Sequence, residues 1–262
     1  MPDSQTTGTS QASGANSRGV ALVTGGASGI GAGIAAMLGE AGARLVIADR
    51  DAEGAEREVA RLRDAGHKAS AVTIDLSDEA SVTAGCAAAI EAHGTPWILV
   101  NNAGLQDREL LLEGTAAHWD RMAQVNARGP FLMTREIGKA MVAAGNGGRI
   151  VNVGSTSMQG HLIAGLAAYV ASKTALTGLT MASAFELVGH GITVNLVLPG
   201  GVGTPGAIGA KGPPPEGPGR RTPPLGRCEP RDIAAAVLYF ATPAARYVTN
   251  QTLAVDAGFS LT

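Results

Sequence analysis

The amino-acid sequence predicts a single α/β domain built on a doubly wound parallel sheet of seven strands, with helices on both faces. Three observations support this fold class. Seven short runs of aliphatic and β-branched residues alternate along the chain with longer, Ala-rich segments of helical spacing. Several of these runs are apolar at consecutive positions, as in strands that are covered on both faces. The alternation itself predicts parallel pairing through right-handed crossovers.

The predicted elements follow one another in a regular order. Strands are expected at residues 20–24, 44–48, 69–74, 97–101, 149–153, 193–198 and 252–255. The segments between them are expected to be helices, because their apolar residues recur at the spacing of one helical face. Neither a second domain nor an internal repeat is expected.

Composition and charge exclude several classes of function. The 262 residues are 45% hydrophobic and 16% charged, which is enough apolar material for a sizeable core. A net charge of −2 predicts no basic surface for nucleic acid. No apolar run approaches the roughly 18 residues that span a bilayer, so no membrane partner is expected. The histidines are scattered, and no metal site is assigned.

The N-terminus and the cysteines bear on the cellular setting. Residues 1–18 are rich in Ser, Thr, Gly and Gln and lack the apolar segment of a signal peptide. They are expected to form a disordered extension, which leaves residues 19–262 as the domain. Cys86 and Cys228 lie far apart with no CxxC motif. A reduced, cytoplasmic protein is expected, with a structural disulfide as the alternative.

A glycine-rich turn follows the first predicted strand. It reads Thr-Gly-Gly-Ala-Ser-Gly-Ile-Gly at residues 24–31, and an Ala-rich helix comes directly after it. Glycines let backbone N–H groups approach a pyrophosphate closely, and the start of the helix adds partial positive charge. The turn therefore predicts a dinucleotide site, with contacts from Gly25, Ser28, Gly29, Ile30 and Gly31.

The end of the second predicted strand carries an acid that bears on the choice of dinucleotide. Asp49 lies 18 residues beyond Gly31, close to the spacing of about 20 that is typical of a ribose-binding carboxylate. Such a carboxylate accepts hydrogen bonds from the ribose hydroxyls and repels the 2′-phosphate of NADP. The neighbouring Arg50 is able to neutralise that phosphate. NAD is the expected cofactor, and NADP is the alternative.

A tyrosine and a lysine predict proton transfer. Tyr169 and Lys173 occur four residues apart in a predicted helix, and therefore on one face of it. A free tyrosine has a pKa of about 10, which a nearby ammonium and a positive nicotinamide are expected to lower. Ser155 follows the strand at 149–153, where such sheets bind ligands, and its hydroxyl is expected to donate to a substrate oxygen. Ser157 is the competitor for that role.

Residues 199–225 interrupt the alternation of strands and helices. They are crowded with Gly and Pro, so no long regular element is expected. A loop of this length inside a domain is usually functional or mobile. A substrate lid is predicted here, with a disordered insertion as the alternative. Pocket walls are expected from 106–111, 156–166 and the lid, and their apolar character favours a neutral alcohol or ketone. Lys211, Arg220 and Arg221 in the lid are the alternative, since they would capture an anion.

Taken together, these motifs resemble the short-chain dehydrogenase/reductase superfamily in its single-domain form. The ordered set is TGGASGIG at 24–31, Asp75-Leu76 after the third strand, NNAG at 101–104, Asn126 in VNARGPF, Ser155 in NVGS, YVASK at 169–173 and Pro199-Gly200 in VNLVLPG. The resemblance covers residues 19–262 and implies a Rossmann-type fold.

The resemblance implies a role for each matching residue. Tyr169 is implied as the general acid/base, and Ser155 as the group that orients the substrate oxygen. Lys173 is implied to lower the pKa of Tyr169 and to bind the nicotinamide ribose, and Asn126 to help hold a water that links Lys173 to bulk proton exchange. The implied cofactor contacts are Asp75 and Leu76 at the adenine, Asn102, Ala103 and Gly104 beside the adenosine ribose, and Pro199, Gly200, Val202 and Thr204 at the nicotinamide end.

The predicted function is reversible hydride transfer between a nicotinamide cofactor and an alcohol or carbonyl, with a secondary alcohol or sugar hydroxyl as the expected substrate. The alternatives are an NADP-dependent carbonyl reductase, a non-catalytic nucleotide sensor on the same fold, and an epimerase or dehydratase of nucleotide sugars. The family also implies a homotetramer. Close helix packing is permitted by a stripe of small residues at Ala168, Ser172, Ala175, Leu179 and Ala182.

Two features depart from the family pattern. The interval between Ser155 and Tyr169 is slightly longer than the commonest one, so the intervening loop is expected to shape the pocket unusually. Asn250 and Ala257 stand where many relatives carry glycine. These two residues are expected to affect the C-terminal turn and to leave the chemistry untouched.

Overall fold

In the part of the chain that the structure describes, residues 19–261 of a computed structural model, seven parallel strands form one sheet in the order β3-β2-β1-β4-β5-β6-β7. The predicted extension at 1–18 lies outside the described residues. The strands are β1 (Val20–Thr24), β2 (Arg44–Asp49), β3 (Ala69–Thr73), β4 (Pro96–Asn101), β5 (Gly148–Val153), β6 (Ile192–Pro199) and β7 (Thr252–Val255). All seven strand predictions are confirmed, each to within one residue at either end.

Helices cover both faces of this sheet. They are α1 (Gly29–Glu40), α2 (Ala52–Asp64), α3 (Glu79–His93), α4 (Ala116–Ala123), α5 (Gly129–Ala144), α6 (Ala167–Leu187), α7 (Pro205–Ile208) and α8 (Pro230–Phe240). Several helix starts are encoded locally. Asp51, Asp78 and Thr115 each accept a hydrogen bond from a backbone N–H in the first turn of the helix that follows.

The side chains of each strand alternate between two apolar layers. On β1, Ala21 and Val23 enter the layer formed with α1, α2 and α8. Leu22 enters the opposite layer, which is formed with α3, α5 and α6. Burial on both faces is the reason why the strand segments are apolar at consecutive positions.

The strand order reverses direction next to β1. The chain runs outward from β1 to β2 and β3, and then crosses back to β4 on the other side of β1. Because all strands point the same way, their carboxyl ends meet at one edge: Val23 of β1 is in register with Ile47 of β2 and Val100 of β4. In open α/β sheets, ligands bind in the crevice at such a switch point.

A chain of buried side-chain hydrogen bonds crosses the middle of the sheet. Asn101 Nδ2 donates to Asn152 Oδ1 at 2.8 Å and to Thr134 Oγ1 at 3.1 Å. Asn152 Nδ2 donates to Thr180 Oγ1 at 2.8 Å. All four side chains are buried, where hydrogen bonds are strong because water does not compete. The network therefore fastens β4 and β5 to α5 and α6, from which the candidate site is built.

Two residues near the C-terminus adopt a left-handed backbone. Asn250 and Ala257 both have φ of 55°. This region favours glycine, tolerates asparagine and strains alanine. The two positions at which the sequence departs from the family's glycines are thus ones whose backbone favours glycine. Of the two, Ala257 carries the greater backbone strain, because asparagine is tolerated in this region.

The described residues bear on three further features: a disulfide, a membrane-spanning helix and a metal site. Cys86 and Cys228 are free and buried in different apolar layers, so the disulfide alternative is wrong. None of the helices in residues 19–261 combines the length and the apolar character that crossing a membrane requires. Within the same residues, no group of three His, Cys, Asp or Glu side chains is placed to hold a metal ion.

Candidate active site

The candidate site is a cleft of about 660 Å³ along the carboxyl edge of the sheet. It spans the switch point between β1 and β4 and continues past the ends of β5 and β6. The predicted site residues that line it are Gly25, Ser28, Gly29, Ile30, Asp49, Arg50, Asp75, Leu76, Asn102, Ala103, Gly104, Ser155, Tyr169, Lys173, Pro199, Gly200, Val202 and Thr204. The other two, Gly31 and Asn126, lie close to lining residues without reaching the cleft themselves.

The glycine turn is packed so closely that larger residues would not fit. Gly25 and Gly29 have φ of 64° and 56°, in the left-handed region. A Cβ on Gly31 would overlap the carbonyl oxygen of Gly25 and lie 2.6 Å from Nδ2 of Asn102. Ser28 is the N-cap of α1, and its side chain makes no capping hydrogen bond to a described residue. The N–H groups at the start of α1 are thus available to an anion, and this cradle fits the pyrophosphate of a dinucleotide.

Thr24 and Asn102 hold the glycine turn against the end of β4. The Thr24 hydroxyl accepts from the backbone N–H groups of Asn102 at 3.0 Å and Ala103 at 3.1 Å. Asn102 Nδ2 donates to the carbonyl oxygens of Thr24 at 3.0 Å and Gly25 at 3.2 Å. Asn102 therefore braces the turn as well as lining the cleft. The sequence analysis did not assign this bracing role, although Thr24 opens the glycine motif.

Asp49 presents its carboxylate to the cleft from the end of β2. Its Oδ2 accepts from the N–H of Ala27 at 3.2 Å, and its Oδ1 accepts from the N–H of Asp51 at 3.1 Å. These bonds orient the carboxylate and leave further lone pairs for a ligand. Arg50 is exposed at the same end of the cleft. Both charges that bear on the choice of dinucleotide are thus present there.

Asp75 lies beyond the end of β3. Its Oδ1 accepts from the Ser77 hydroxyl at 2.7 Å and from the Ser77 N–H at 2.9 Å. These bonds, the hydroxyl first, hold the pKa of Asp75 below its ordinary value, and the charge of Arg50 adds a smaller lowering. Asp75 is therefore an ionised acceptor at neutral pH, with Oδ2 left for a ligand.

The end of β5 and the helix α6 bring Ser155, Tyr169 and Lys173 together. Tyr169 and Lys173 are 8% and 4% exposed, and Ser155 is near enough to the Tyr169 phenol to lower its pKa. Lys173 Nζ donates to the carbonyl oxygen of Val153 at 2.9 Å, which ties α6 to β5. A Cβ on Gly104 would lie 3.0 Å from that Nζ. Glycine at this position therefore gives the ammonium room to reach its partner.

Burial dominates the ionisation of the tyrosine and the lysine. It raises the pKa of Tyr169 above its ordinary value, and the hydrogen bond with Ser155 offsets part of that rise. Burial also lowers the pKa of Lys173 to about 8. The lowering of the Tyr169 pKa that the sequence analysis expects is not found in the protein by itself. The net shift is upward because removing the phenolate from water is the larger effect.

Asn126 lies in a five-residue π-helix, Gln124–Arg128, between α4 and α5. Its Oδ1 accepts from the Leu105 N–H at 2.8 Å, and its Nδ2 donates to the Leu105 carbonyl at 2.9 Å and to Ser172 Oγ at 3.0 Å. Such π segments are frequent at functional sites. The water that the resemblance implies for Asn126 stays a prediction. Ser172 is a residue that the sequence analysis missed as a site residue, although it stands inside the YVASK motif.

The part of the cleft between the β4 loop and segment 199–225 is more polar than expected. No residue of 156–166 lines it; its polar lining residues are Gln106, Asp107, Arg121 and Lys211. Asp107 Oδ2 lies 3.1 Å from an Arg121 nitrogen, and Asp107 Oδ1 accepts from the Lys211 N–H at 2.9 Å. Of the expected walls, residues 106 and 107 and the lid line the cleft, whereas the loop 156–166 does not and packs His161 against Phe259.

Segment 199–225 is held in place through its backbone. Its regular structure is confined to α7 and one 3₁₀ turn, as predicted. The guanidinium of the buried Arg108 donates to the carbonyl oxygens of Ala210 at 3.3 Å and Pro213 at 3.1 Å. Further along, the Gly219 N–H donates to the Leu162 carbonyl at 2.8 Å. The outer half of the segment is thus fastened to the body of the protein.

Comparison with known proteins finds similarity over almost the whole chain. The family model described as Enoyl-(Acyl carrier protein) reductase matches residues 25–260. The chain is 40% identical over 255 residues to galactitol 2-dehydrogenase (L-tagatose-forming) of Cereibacter sphaeroides, covering 92% of this chain and 94% of that protein. It is 38% identical over 246 residues to 2,5-dichloro-2,5-cyclohexadiene-1,4-diol dehydrogenase of Sphingobium indicum, covering 92% and 96%.

Among solved structures, the protein is similar to 3-ketoacyl-(acyl-carrier-protein) reductase from Brucella melitensis complexed with NADH. The TM-score is 0.83 at 37% sequence identity, and the match covers 92% of this chain and 98% of that one.

Replacing the buried lysine is expected to change how stability depends on pH. The native pKa of Lys173, about 8, lies below its ordinary value of 10.5, so the unfolded chain binds more protons between these two values. The contribution of Lys173 to the free energy of unfolding therefore rises with pH across this window, by up to about 1.4 kcal/mol per unit. Denaturant unfolding of wild type and Lys173→Met across the window should show this extra slope in wild type alone. Parallel curves would contradict it.

Proposed function

The chain belongs to the short-chain dehydrogenase/reductase family, and on that premise we propose how its site works and what it acts on. The protein is an oxidoreductase that transfers a hydride between a nicotinamide cofactor and an alcohol or carbonyl. We propose that Ser155, Tyr169 and Lys173 are its catalytic residues and that it oxidises a hydroxyl-rich secondary alcohol with NAD. The observation that carries this proposal is the meeting of these three side chains in the same cleft as the glycine turn.

In the proposed mechanism, oxidation of the alcohol to a carbonyl removes a proton and a hydride. The Tyr169 phenolate accepts the hydroxyl proton, and the carbinol hydrogen leaves with its electron pair as the carbon–oxygen double bond forms. A bound oxidised nicotinamide supplies the acceptor for that hydride. Ser155 donates a hydrogen bond to the substrate oxygen and holds it beside Tyr169 throughout. In the reverse direction, Tyr169 returns the proton to the carbonyl oxygen.

The role proposed for Lys173 is electrostatic. Its Nζ is held by the Val153 carbonyl at 2.9 Å and lies against Gly104 at the wall of the cleft. Burial raises the pKa of Tyr169, so forming the phenolate needs positive charge nearby. The Lys173 ammonium and the charge of an oxidised nicotinamide both favour the phenolate. The contacts proposed for the other cleft residues with the cofactor stay predictions.

We propose NAD as the cofactor because of Asp49. Its carboxylate is oriented by two backbone N–H groups at the end of β2 and retains lone pairs that suit a pair of ribose hydroxyls. The same negative charge opposes a 2′-phosphate. Arg50 is the feature that keeps an NADP-dependent carbonyl reductase as the alternative.

A polyol or cyclic diol is proposed as the substrate. The similar proteins are named as dehydrogenases of galactitol and of a cyclohexadienediol. In this chain, Asp107, Arg121 and Lys211 line the cleft beside segment 199–225. Side chains that both donate and accept hydrogen bonds suit a substrate with several hydroxyl groups. This proposal replaces the apolar substrate pocket that the sequence analysis expects.

We propose that 199–225 acts as the substrate lid. Its inner part, from Pro199 to Ala210, lines the cleft and includes α7. Its outer part is fastened by Arg108 and by Leu162, as described above. The Gly200 N–H donates to the Val255 carbonyl at 2.8 Å, so the stretch with α7 is anchored on both sides. A short stretch between two anchors that lines the site is placed to close over a ligand.

We propose a homotetramer, as the family implies. The predicted stripe of small residues is divided: Ser172 is buried within the chain, whereas Ala175 and Ala182 are exposed. Beside them, Met181 and Phe185 are 59% and 82% exposed, which is apolar surface that a second copy would cover. A solution mass of one chain would contradict the tetramer. A cytoplasmic location, with which two free buried cysteines agree, stays a prediction.

Tyr169→Phe is expected to lower turnover by about 10²- to 10⁴-fold, because the acceptor of the hydroxyl proton is lost. The assay is NADH formation with galactitol and with cyclohexane-1,4-diol, and NAD affinity is measured separately and should be unchanged. Tyr239→Phe is the matched control, since this tyrosine is 46% exposed on α8 outside the cleft. Wild-type turnover in Tyr169→Phe would sink the proposed mechanism.

Asp49→Ala is expected to weaken NAD binding by about tenfold and to narrow or reverse the preference over NADP. The lost carboxylate no longer binds the ribose hydroxyls and no longer repels a 2′-phosphate. Dissociation constants for both dinucleotides should be measured by titration calorimetry. Asp64→Ala, which removes an exposed carboxylate at the end of α2, should behave as wild type. An unchanged preference in Asp49→Ala would contradict the role proposed for Asp49, and tighter binding of NADP than of NAD by wild type would support Arg50 and the NADP alternative.

A further inference from the structure

A second serine lies directly behind the serine that faces the substrate. Ser157 is 6% exposed in the 3₁₀ turn Thr156–Gln159, which follows β5. Its backbone N–H donates to Ser155 Oγ at 3.2 Å, and the two hydroxyl oxygens lie 2.8 Å apart. Ser155 and Tyr169 line the same cleft, and Ser155 lowers the pKa of Tyr169. The three side chains therefore form a row of hydroxyl groups that runs from the protein interior to the cleft.

The direction in which hydrogen bonds are donated along this row follows from the number of donor and acceptor positions of each hydroxyl group. A serine hydroxyl donates one hydrogen bond and accepts two. The Ser157 N–H occupies one acceptor position of Ser155, and the Ser157 O–H fits the other. With both acceptor positions occupied, the Ser155 hydroxyl is left with its hydrogen, which it is able to donate toward Tyr169 and the cleft.

The opposite direction is unfavourable. If Ser155 donated to Ser157, the hydrogen of the buried Ser157 hydroxyl would have no acceptor, because within residues 19–261 Ser155 is the one hydrogen-bond partner of that hydroxyl. Leaving a buried donor unpaired costs free energy. A Tyr169 phenolate, moreover, has no hydrogen to donate and is able only to accept.

We propose that Ser157 is a positioning residue for the reaction: its buried N–H and O–H occupy both acceptor positions of Ser155 and so hold Ser155 as a donor to Tyr169 and to the substrate oxygen. The proposal rests on the roles proposed for Ser155 and Tyr169. Ser157, which the sequence offers as the competitor of Ser155, thus acts behind Ser155 and does not contact the substrate.

The pKa of Tyr169 depends on its burial, on Ser155 and on the charged groups of the cleft. Burial raises the pKa of Tyr169, and the hydrogen bond with Ser155 lowers it, as a bond donated to the phenolate does. The charged groups that line the same cleft are Lys173 on α6, Arg121 on α4, Asp107 after β4, Lys211 in the lid, and Asp49, Arg50 and Asp75 at the ends of β2 and β3. All of them are retained when Ser157 alone is changed.

The test follows the ionisation of Tyr169 directly. The ultraviolet absorbance of the phenolate is titrated with pH in the full-length protein, with and without NAD, and the Tyr169→Phe signal is subtracted to remove the other tyrosines. Ser157→Ala is expected to raise the Tyr169 midpoint by about half to one pH unit and to lower turnover about tenfold, with unchanged NAD affinity. Ser157→Thr, which keeps the hydroxyl, should restore both values.

Two further variants keep this test decisive. Ser70→Ala removes a hydroxyl on β3 that bonds to Leu45 on β2 and to His93 at the end of α3, away from the cleft, and should match wild type in both readouts. If Ser157→Ala does not fold, Ser157→Cys replaces the hydroxyl with a poor donor of similar size. A wild-type midpoint in a folded Ser157→Ala or Ser157→Cys protein would overturn the proposal. Full turnover in Tyr169→Phe would overturn the proposed function itself, so the two failures are distinct.

Discussion

The hydrogen bond between the Lys173 ammonium and the Val153 carbonyl is the interaction on which the candidate site depends. It crosses from the middle of α6 to the last residue of β5 at 2.9 Å and is almost fully buried. Because Ser155 follows β5 and Tyr169 lies one turn before Lys173, this bond sets the distance between the two hydroxyl groups. A buried cation is expensive to maintain, and burial accordingly lowers the pKa of Lys173 to about 8. The hydrogen bond to the Val153 carbonyl offsets part of that cost.

The cofactor half of the cleft depends on a different kind of constraint, which is the close approach of backbone to backbone. Gly25 and Gly31 each stand where a Cβ would come within 3.0 Å of another backbone atom, whereas a Cβ on Gly104 would meet the Lys173 side chain. Thr24 and Asn102 then hold the turn by side-chain bonds to the backbone. The two halves share a wall, because the position of Gly104 beside Lys173 is fixed by the loop that Asn102 begins. The residues proposed to bind the dinucleotide and those proposed to transfer the proton are therefore held by one connected set of contacts.

The sequence was sufficient for the fold because seven apolar runs and one glycine motif are local signals, and the carboxyl edge of a parallel sheet then gathers the motif residues without further information. It was insufficient where position depends on distant packing. Arg108 holds the backbone of Ala210 and Pro213 and so keeps the neighbouring Lys211 beside Asp107 and Arg121. No local sequence pattern encodes a contact between residues so far apart along the chain. The direction of the Tyr169 pKa shift in the protein by itself depends on depth of burial, which residue types and their spacing do not reveal. The π-helix at Asn126 likewise has no signature in residue type.

The backbone anchoring of segment 199–225 leaves many of its side chains free to change during evolution. Its anchors, from Arg108 to Ala210 and Pro213 and from Gly219 to Leu162, end on main-chain carbonyl oxygens, which every residue type possesses. Many side chains of the segment can thus be exchanged by mutation while the anchors persist. Selection is thereby free to change which alcohol is accepted without rebuilding the reaction centre. The segment acts as a variable region on a constant frame, and its Gly and Pro content records the shape of the loop more than the identity of the substrate.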